Sequence, residues 1–109
     1  MTEDRLESLK SKIRKCRDER GWLAFHNPKD LAISISIEAA ELLEEFQWKN
    51  TDEIAKKLKD AGEKTKIMDE MADVYIYLLE LAEVLGVDLI TAAEKKVKKN
   101  EEKYPVIKK

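Results

Sequence analysis

The sequence predicts an all-α fold, a four-helix-bundle-type domain with one additional short helix, spanning residues 1–109. Helix-start and helix-stop residues recur along the chain, and the apolar residues between them repeat every three to four positions. Strand signals are nearly absent, because the one alternating run, residues 33–37, lies inside a well-delimited helical segment. No linker, internal repeat or low-complexity stretch divides the chain, so we expect a single domain.

The first half of the chain contains two predicted helices. Thr2 is a suitable N-cap for the first helix, and Gly21 is a suitable stop. Asn27 and Pro28 form the start of the second, because asparagine is a good N-cap and proline is favoured at the first helical position. The second helix is therefore predicted from Pro28 to about Gln47, through a strongly helix-forming stretch.

The second half contains three predicted helices. Residues 51–62 form a short amphipathic helix that ends near a glycine. A long helix follows over residues 63–85, and Gly86 provides its stop. Asp88 is the predicted cap of the last helix, which turns basic towards its end and terminates before Pro105.

Composition excludes several classes of protein. Charged residues form 40% of the chain, yet the formal net charge is only −2, which argues against a broad nucleic-acid or membrane-surface binder. Cys16 is the only cysteine, so neither an intramolecular disulfide nor a zinc site built from thiolates alone is possible. The acidic N-terminus precedes no apolar run, and no stretch is long enough to cross a bilayer, so we expect a cytoplasmic location.

Four carboxylates occupy positions where a helical protein normally places leucine. Glu38 and Glu41 form an E-x-x-E pair on the second helix, and Glu70 and Asp73 form an E-x-x-D pair on the long helix. Residues at i and i+3 share one helix face, so each pair lies within the apolar stripe of its helix. Unpaired carboxylates in such a stripe repel one another and resist desolvation, and a divalent cation relieves both effects.

These acids predict a magnesium site inside a helix bundle. Magnesium prefers oxygen ligands and keeps several waters, which leaves positions for phosphate oxygens. Such an ion polarises a phosphoryl group and stabilises a leaving pyrophosphate. The competing interpretation is two chance acidic pairs in a lysine- and glutamate-rich chain, and Glu45 lies close enough to the stripe to be an extra ligand. A di-iron carboxylate bundle is disfavoured because it needs two Glu-x-x-His elements, and His26 is the only histidine.

The arrangement of these motifs resembles the MazG-like all-α nucleoside triphosphate pyrophosphohydrolases, and in particular their dCTP pyrophosphatase-like branch. The ordered acids Glu38-Ala-Ala-Glu41 and Glu70-Met-Ala-Asp73 match that family's E-x-x-E…E-x-x-D signature. The likeness extends over roughly residues 20–106. Further similar segments are Trp22–His26, Glu38–Trp48, Asp73–Tyr77 and Lys96–Pro105.

This resemblance implies a magnesium-dependent enzyme that cleaves a nucleoside triphosphate between the α and β phosphorus, giving a monophosphate and pyrophosphate. It also implies a homodimer or homotetramer with the nucleotide pocket near subunit contacts, and a role in cleaning the nucleotide pool. By the same resemblance, the metal ligands and catalytic residues are Glu38, Glu41, Glu70 and Asp73. The residues it implies for substrate binding are Trp22, His26, Trp48, Tyr77, Lys96 and Asn100.

Each predicted site residue also has an ordinary structural interpretation. The tryptophans suit core or interface packing as well as base stacking, and Tyr77 suits a buried tyrosine with one internal hydrogen bond. Lys96 and Asn100 share a face of a lysine-rich helix end that is otherwise solvated. At the level of the whole chain, the alternative is a non-catalytic helical oligomerisation module or a nucleotide sensor. A preference for dCTP over other nucleotides is not determined by these residues.

Overall fold

The computed structural model describes residues 2–107, with side chains from residue 5 onward, and confirms the all-α prediction. Within residues 2–107 there is no β-strand, and no helix in that span has the length and apolar character needed to cross a membrane. Four long helices and one short helix are present, as predicted, together with a single 3-10 turn. The elements are α1 (Thr2–Glu19), the 3-10 turn (Trp22–Phe25), α2 (Pro28–Glu44), α3 (Thr51–Leu58), α4 (Ala61–Leu85) and α5 (Leu89–Lys103).

The predicted caps that matter most for the site are confirmed. The Asn27 side chain accepts a hydrogen bond of 2.9 Å from the backbone N–H of Asp30, and Pro28 opens α2. Gly86 ends α4 with φ of 67°, a left-handed conformation that suits glycine. The following N–H, of Val87, donates to the carbonyl of Ala82 at 2.9 Å, which closes the last turn of α4. The two helices that carry the acidic pairs therefore have local, sequence-encoded ends.

Three predicted helix ends were wrong. Thr2 is the first helical residue of α1 and not the cap before it. α2 ends at Glu44, before Gln47, because the chain turns there and Asn50 caps α3. Gly62 does not end α3, because it lies in the first turn of α4.

Asp60 is the cap of α4 that sequence reasoning missed. Its Oδ1 accepts hydrogen bonds from the backbone N–H groups of Gly62 at 2.9 Å and Glu63 at 3.1 Å. The signal was present, because aspartate is a favoured N-cap and Glu63 is suited to the first turn of a helix. The cap sets where α4 begins and therefore the position of the acids further along it.

The core lies between α2 and α4, which form the most extensive contact between elements. Its buried residues are Leu31 of α2, which is only 3% exposed, and Ile67, Leu79 and Ala82 of α4. The two helices run antiparallel, since the acids of α2 approach Glu70 at one end while the start of α2 lies beside the second half of α4. α1 and α3 pack against α4, and α5 has no buried residue. This is a small core for 109 residues.

We expect Asp60→Ala to lower the free energy of unfolding by about 1 kcal/mol, because two N–H groups of the first turn lose their acceptor. Asp60→Asn keeps an acceptor oxygen and should retain most of that stability. The measurement is urea unfolding followed by far-ultraviolet circular dichroism, at one fixed protein concentration. Equal stability of Asp60→Ala and the wild type would contradict the capping role.

Candidate functional site

Three carboxylates converge where α2 and α4 face each other. Glu38 and Glu41 are one helical turn apart on α2, and Glu70 reaches them from α4. One carboxylate oxygen from each residue lies within 4.8 Å of the other two. We call Glu38, Glu41 and Glu70 the carboxylate trio. The prediction that acids from two separate helices approach one another therefore describes this structure correctly for three of the four residues.

Two oxygens of the trio lack any hydrogen-bond partner among the described residues. Oε2 of Glu38 and Oε2 of Glu70 are both buried and both unpaired. Buried polar atoms in proteins are nearly always paired, because leaving one unpaired costs free energy. Converging bare carboxylate oxygens are the ligands that a hard divalent cation prefers. The residues present therefore fit a cation such as Mg²⁺.

The electrostatics of the trio also favour the binding of a cation. Burial raises the pKa of Glu38 to about 7, and the neighbouring charge of Glu41 adds to the shift. Burial also raises the pKa of Glu70, again with Glu41 as the main charged neighbour. Glu38 and Glu70 resist ionisation because each is partly desolvated beside other negative charges. Either a proton or a cation relieves this cost, so metal binding and protonation compete at the trio.

Asp73 lies outside the trio. Its side chain is exposed and lines the groove next to it, although its charge still raises the pKa of Glu38 and Glu70. The assignment of Asp73 as a fourth metal ligand stays a prediction.

Glu45 has its own cationic partner. The Nζ of Lys57 on α3 donates to the Glu45 side chain and to its backbone carbonyl, each at 2.9 Å. This ion pair lowers the pKa of Glu45. Its charge is therefore balanced within the chain, unlike the charges of the trio. Glu44 and Asp69, also close to the motifs in sequence, are exposed.

A groove of about 740 Å³ adjoins the trio and runs between α1, the 3-10 turn, α2 and α4. Four of the predicted site residues line it: Trp22, His26, Asp73 and Tyr77. They come from the 3-10 turn with its capping residue and from α4, so the fold brings together residues that are up to a half-chain apart in sequence. A concave site that combines aromatic side chains with a few polar groups is typical of small-molecule binding.

The polar residues of the groove are poised for hydrogen bonding. Nε2 of His26 is buried and has no partner among the described residues. Burial lowers the pKa of His26, and the charge of Arg17 acts in the same direction, so the neutral imidazole is favoured. Burial raises the pKa of Tyr77, with the charges of Glu38 and Glu80 adding to the shift, so its hydroxyl stays protonated. Both side chains can therefore contact a polar ligand without a charge of their own.

Trp48, Lys96 and Asn100 are not among the residues that line the groove. Trp48 is 91% exposed and has φ of 69°, a conformation unusual for any residue but glycine. Lys96 and Asn100 are exposed on α5. Within a single copy of the chain, these three predicted binding residues do not line the groove with Trp22, His26 and Tyr77.

Comparison with known proteins decides the family. The profile of the MazG-like family matches residues 33–109, a span that includes both acidic pairs. The chain belongs to the MazG-like family. The resemblance found from its motifs is thereby confirmed.

Individual proteins similar to this MazG-like chain include two mammalian enzymes. The chain is 36% identical over 104 residues to dCTP pyrophosphatase 1 of Rattus norvegicus and 35% identical over 103 residues to that of Homo sapiens. These alignments cover 95% and 94% of the chain, which spans about 61% of the length of each relative. A crystal structure of a pyrophosphatase from Archaeoglobus fulgidus is also similar, with a TM-score of 0.86, 48% identity and 94% of each chain covered.

Several groove residues of this MazG-like chain were missed by sequence reasoning. Ser34 precedes Glu38 by one helical turn, and Glu80 follows Asp73 by two turns, so helical spacing from the acids was a usable signal for both. Lys12 and Arg17 come from α1, and no motif connected that helix with the acids. Their position in the groove depends on how α1 packs on α4.

We expect the metal-free protein to lose stability as the pH rises from about 5 to 8, relative to Glu38→Gln. A carboxyl group with a raised pKa binds more protons in the folded than in the unfolded state across this range. Well below pH 4.5, the ordinary pKa of a glutamate, Glu38 is protonated in the folded and the unfolded state. Its destabilising ionisation in the folded state is complete above a pH of about 7. Added Mg²⁺ should raise the melting temperature of the wild type, most strongly at the high-pH end, because metal binding needs the ionised carboxylates.

The measurement is thermal unfolding with chelator and with Mg²⁺ at several pH values, and Glu44→Gln is a matched control on the same helix. Glu38→Gln should be more stable than the wild type in chelator at pH 8 and should lose most of the Mg²⁺ response. The opposite trend in chelator, in which the wild type gains stability relative to Glu38→Gln as the pH rises, would contradict the raised pKa of Glu38.

Proposed function

We propose that this protein hydrolyses a nucleoside triphosphate to a nucleoside monophosphate and pyrophosphate, with Mg²⁺ as its cofactor. The observation that supports this best is the carboxylate trio, with two buried, unpaired oxygens, at one end of a groove large enough for a nucleotide. The pyrophosphatase names of the similar proteins agree with it. In the cell, such an activity removes unwanted nucleotides from the cytoplasmic pool.

The trio is the proposed metal site, with Asp73 as a further ligand. When bound there, Mg²⁺ supplies charge neutralisation for the triphosphate, whose oxygens bare carboxylates repel. Asp73 lies on the groove side of the trio, from where its carboxylate can also orient an attacking water and accept its proton. The water oxygen bonds to the α phosphorus, the bond from that phosphorus to the bridging oxygen breaks, and the bridging oxygen leaves as part of pyrophosphate.

The groove is the proposed site for the nucleoside. Trp22 offers an aromatic face for the base, while His26 and Tyr77 offer neutral hydrogen-bonding groups for the base or sugar. The mammalian relatives are named dCTP pyrophosphatase 1, and we propose dCTP as the preferred substrate here.

A homo-oligomer is the proposed functional unit, a homodimer or a homotetramer. The accessible surface of one copy is 8953 Å², whereas a compact monomer of this mass has about 6,200 Å². Its radius of gyration is 17.3 Å, compared with about 13 Å for a compact domain of this length. The excess surface is on the order of 2,700 Å², comparable with the total area that obligate interfaces bury.

An oligomer also accounts for the separated binding residues. Trp48, Lys96 and Asn100 are exposed and do not reach the groove of their own copy. We propose that they contact the nucleotide in the groove of a neighbouring copy. In this proposal, the strained backbone of Trp48 is retained because it keeps the side chain available to a neighbouring copy.

Purified protein with Mg²⁺ should convert at least one deoxynucleoside triphosphate to its monophosphate and pyrophosphate, in a screen of all ribo- and deoxynucleoside triphosphates. Glu41→Gln and Asp73→Asn should each lower kcat on the order of a hundredfold or more while circular dichroism keeps the wild-type helix signal. Glu44→Gln, exposed on α2, is the control. Diphosphate and orthophosphate as products would contradict the proposed cleavage point, and binding without turnover would indicate a sensor.

Light scattering after size-exclusion chromatography should give a mass that is a multiple of the single chain. Mixing two inactive variants tests whether sites are shared between copies. Glu41→Gln removes a trio carboxylate and Asn100→Ala removes a proposed contact from α5, so a mixed oligomer regains some intact sites if the two residues serve one site from different copies. Recovered pyrophosphate release after subunit exchange supports the shared site, and a monomeric, active protein would contradict it.

A further inference from the structure

Glu80 marks the far end of the groove from the carboxylate trio. It follows Asp73 by seven positions on α4, with Tyr77 between them, and all three residues line the groove. Two helical turns correspond to a rise of about 10 Å, so Glu80 lies roughly one nucleoside length beyond Asp73. The groove therefore has a carboxylate at each end, separated by a distance that suits the two ends of a nucleotide.

The Glu80 carboxylate has no ion-pair or hydrogen-bond partner among residues 5–107. It is half-buried, and the apolar Leu31 and Ile76 line the same groove. Burial raises the pKa of Glu80 more than the charge of Arg17 lowers it. A partly desolvated carboxylate without a partner costs free energy, and a ligand that donates a hydrogen bond to it removes that cost.

Arg17 supplies a complementary group at the same end of the groove. Its side chain is only 13% exposed, and its Nε donates to Asp18 at 2.9 Å, which fixes the guanidinium in place. The two terminal nitrogens of that guanidinium have no partner among the described residues, and no ion pair within 4.0 Å joins Arg17 to Glu80. The unpaired Glu80 carboxylate, an acceptor, and the two unpaired guanidinium nitrogens of Arg17, both donors, thus line the same groove.

The Watson–Crick edge of cytosine matches this pair. That edge carries one amino donor, followed by a ring nitrogen and a carbonyl oxygen that both accept. Uracil and thymine present a carbonyl oxygen where cytosine has its amino group, and a carboxylate repels that oxygen. With the phosphates held at the trio, the base of a nucleotide reaches the end of the groove where Glu80 and Arg17 lie.

We infer that Glu80 is a specificity-determining residue whose carboxylate accepts a hydrogen bond from the exocyclic amino group of the base, while Arg17 donates to the ring acceptors. This inference rests on the proposed function and deepens it. It assigns the choice between amino and carbonyl pyrimidines to two residues that the acidic motifs do not include. Glu80 takes no part in the cleavage itself.

A chemical double-mutant cycle tests this assignment. The substrates are dCTP, dUTP and the triphosphate of the 4-deamino analogue of deoxycytidine, which lacks only the amino group. The enzymes are the wild type, Glu80→Gln, Glu80→Ala and, as a matched control, Glu83→Gln. Glu83 lies one turn from Glu80 on α4 but faces Arg14, with which it forms an ion pair of 2.8 Å, and it does not line the groove.

We expect the wild type to prefer dCTP over the deamino analogue by about tenfold or more in kcat/KM, because a site built to bind an amino group rejects the analogue without it. Glu80→Ala should reduce that preference to near unity. Glu80→Gln should gain activity on dUTP relative to dCTP, because an amide can donate to a carbonyl oxygen. Glu83→Gln should keep the wild-type ratios.

Unchanged ratios in both Glu80 variants would overturn the inference even if the enzyme cleaves nucleotides. An equal loss of kcat/KM on all three substrates, together with a change in oligomer mass, would also overturn it, because that result assigns Glu80 to a subunit contact. If the wild type cleaves no nucleotide, the proposed function fails separately. Calorimetric titration of dCTP and dUTP into the wild type and Glu80→Gln then decides the inference, and equal affinities for both ligands in both proteins would overturn it.

Discussion

Three negative side chains, Glu38, Glu41 and Glu70, meet between the two helices that hold the protein together. Their carboxylate oxygens lie within 4.8 Å of one another, and two buried oxygens have no hydrogen-bond partner among the described residues. Burial raises the pKa of Glu38 to about 7, and repulsion from the neighbouring carboxylate of Glu41 adds to the shift. The stability of the α2–α4 pair is thus linked to whatever neutralises the trio, either protons or a cation.

The contrast with Glu45 shows that this arrangement is specific to the trio. Lys57 holds the side chain and the backbone carbonyl of Glu45 at 2.9 Å, so an acid in the same region has an internal counter-charge. No lysine or arginine lies within 4.0 Å of the trio carboxylates among residues 5–107. A chain with 21 basic residues does not lack cations for this purpose. The unpaired state is therefore a local property of the site, as expected where a ligand supplies the missing charge.

The small core and the large accessible surface have one cause, which is that much of the apolar side-chain area of the chain stays exposed in a single copy. Four residues provide the buried apolar core, while many large apolar side chains, such as Ile90 and Val97 of α5, remain about half exposed. A domain with so little internal burial gains stability by covering apolar surface in an assembly. The groove is open to solvent on one side. In an assembly, Trp48, Lys96 and Asn100 of one copy could therefore complete the groove of another. In the proposed assembly, the same contacts would both cover apolar surface and complete the substrate site.

The sequence by itself determined the helical fold class, most helix ends, and the placement of each acidic pair on one face of its helix. These features are local: caps, glycine stops and i, i+3 spacing act within a few residues, so a single sequence contains the information. Two of the three ends that were predicted wrongly, at Gln47 and Gly62, lie where a turn or a competing cap such as Asp60 decided the outcome.

Only the tertiary structure decided which side chains converge. It placed Glu70 with the acids of α2 but left Asp73 facing the groove, and it brought Arg17 of α1 and Glu80 of α4 into that same groove. It also separated Trp48 from the groove of its own copy. The physical reason is that helix spacing fixes a face, whereas the rotation and register of one helix against another depend on packing between residues far apart in the chain.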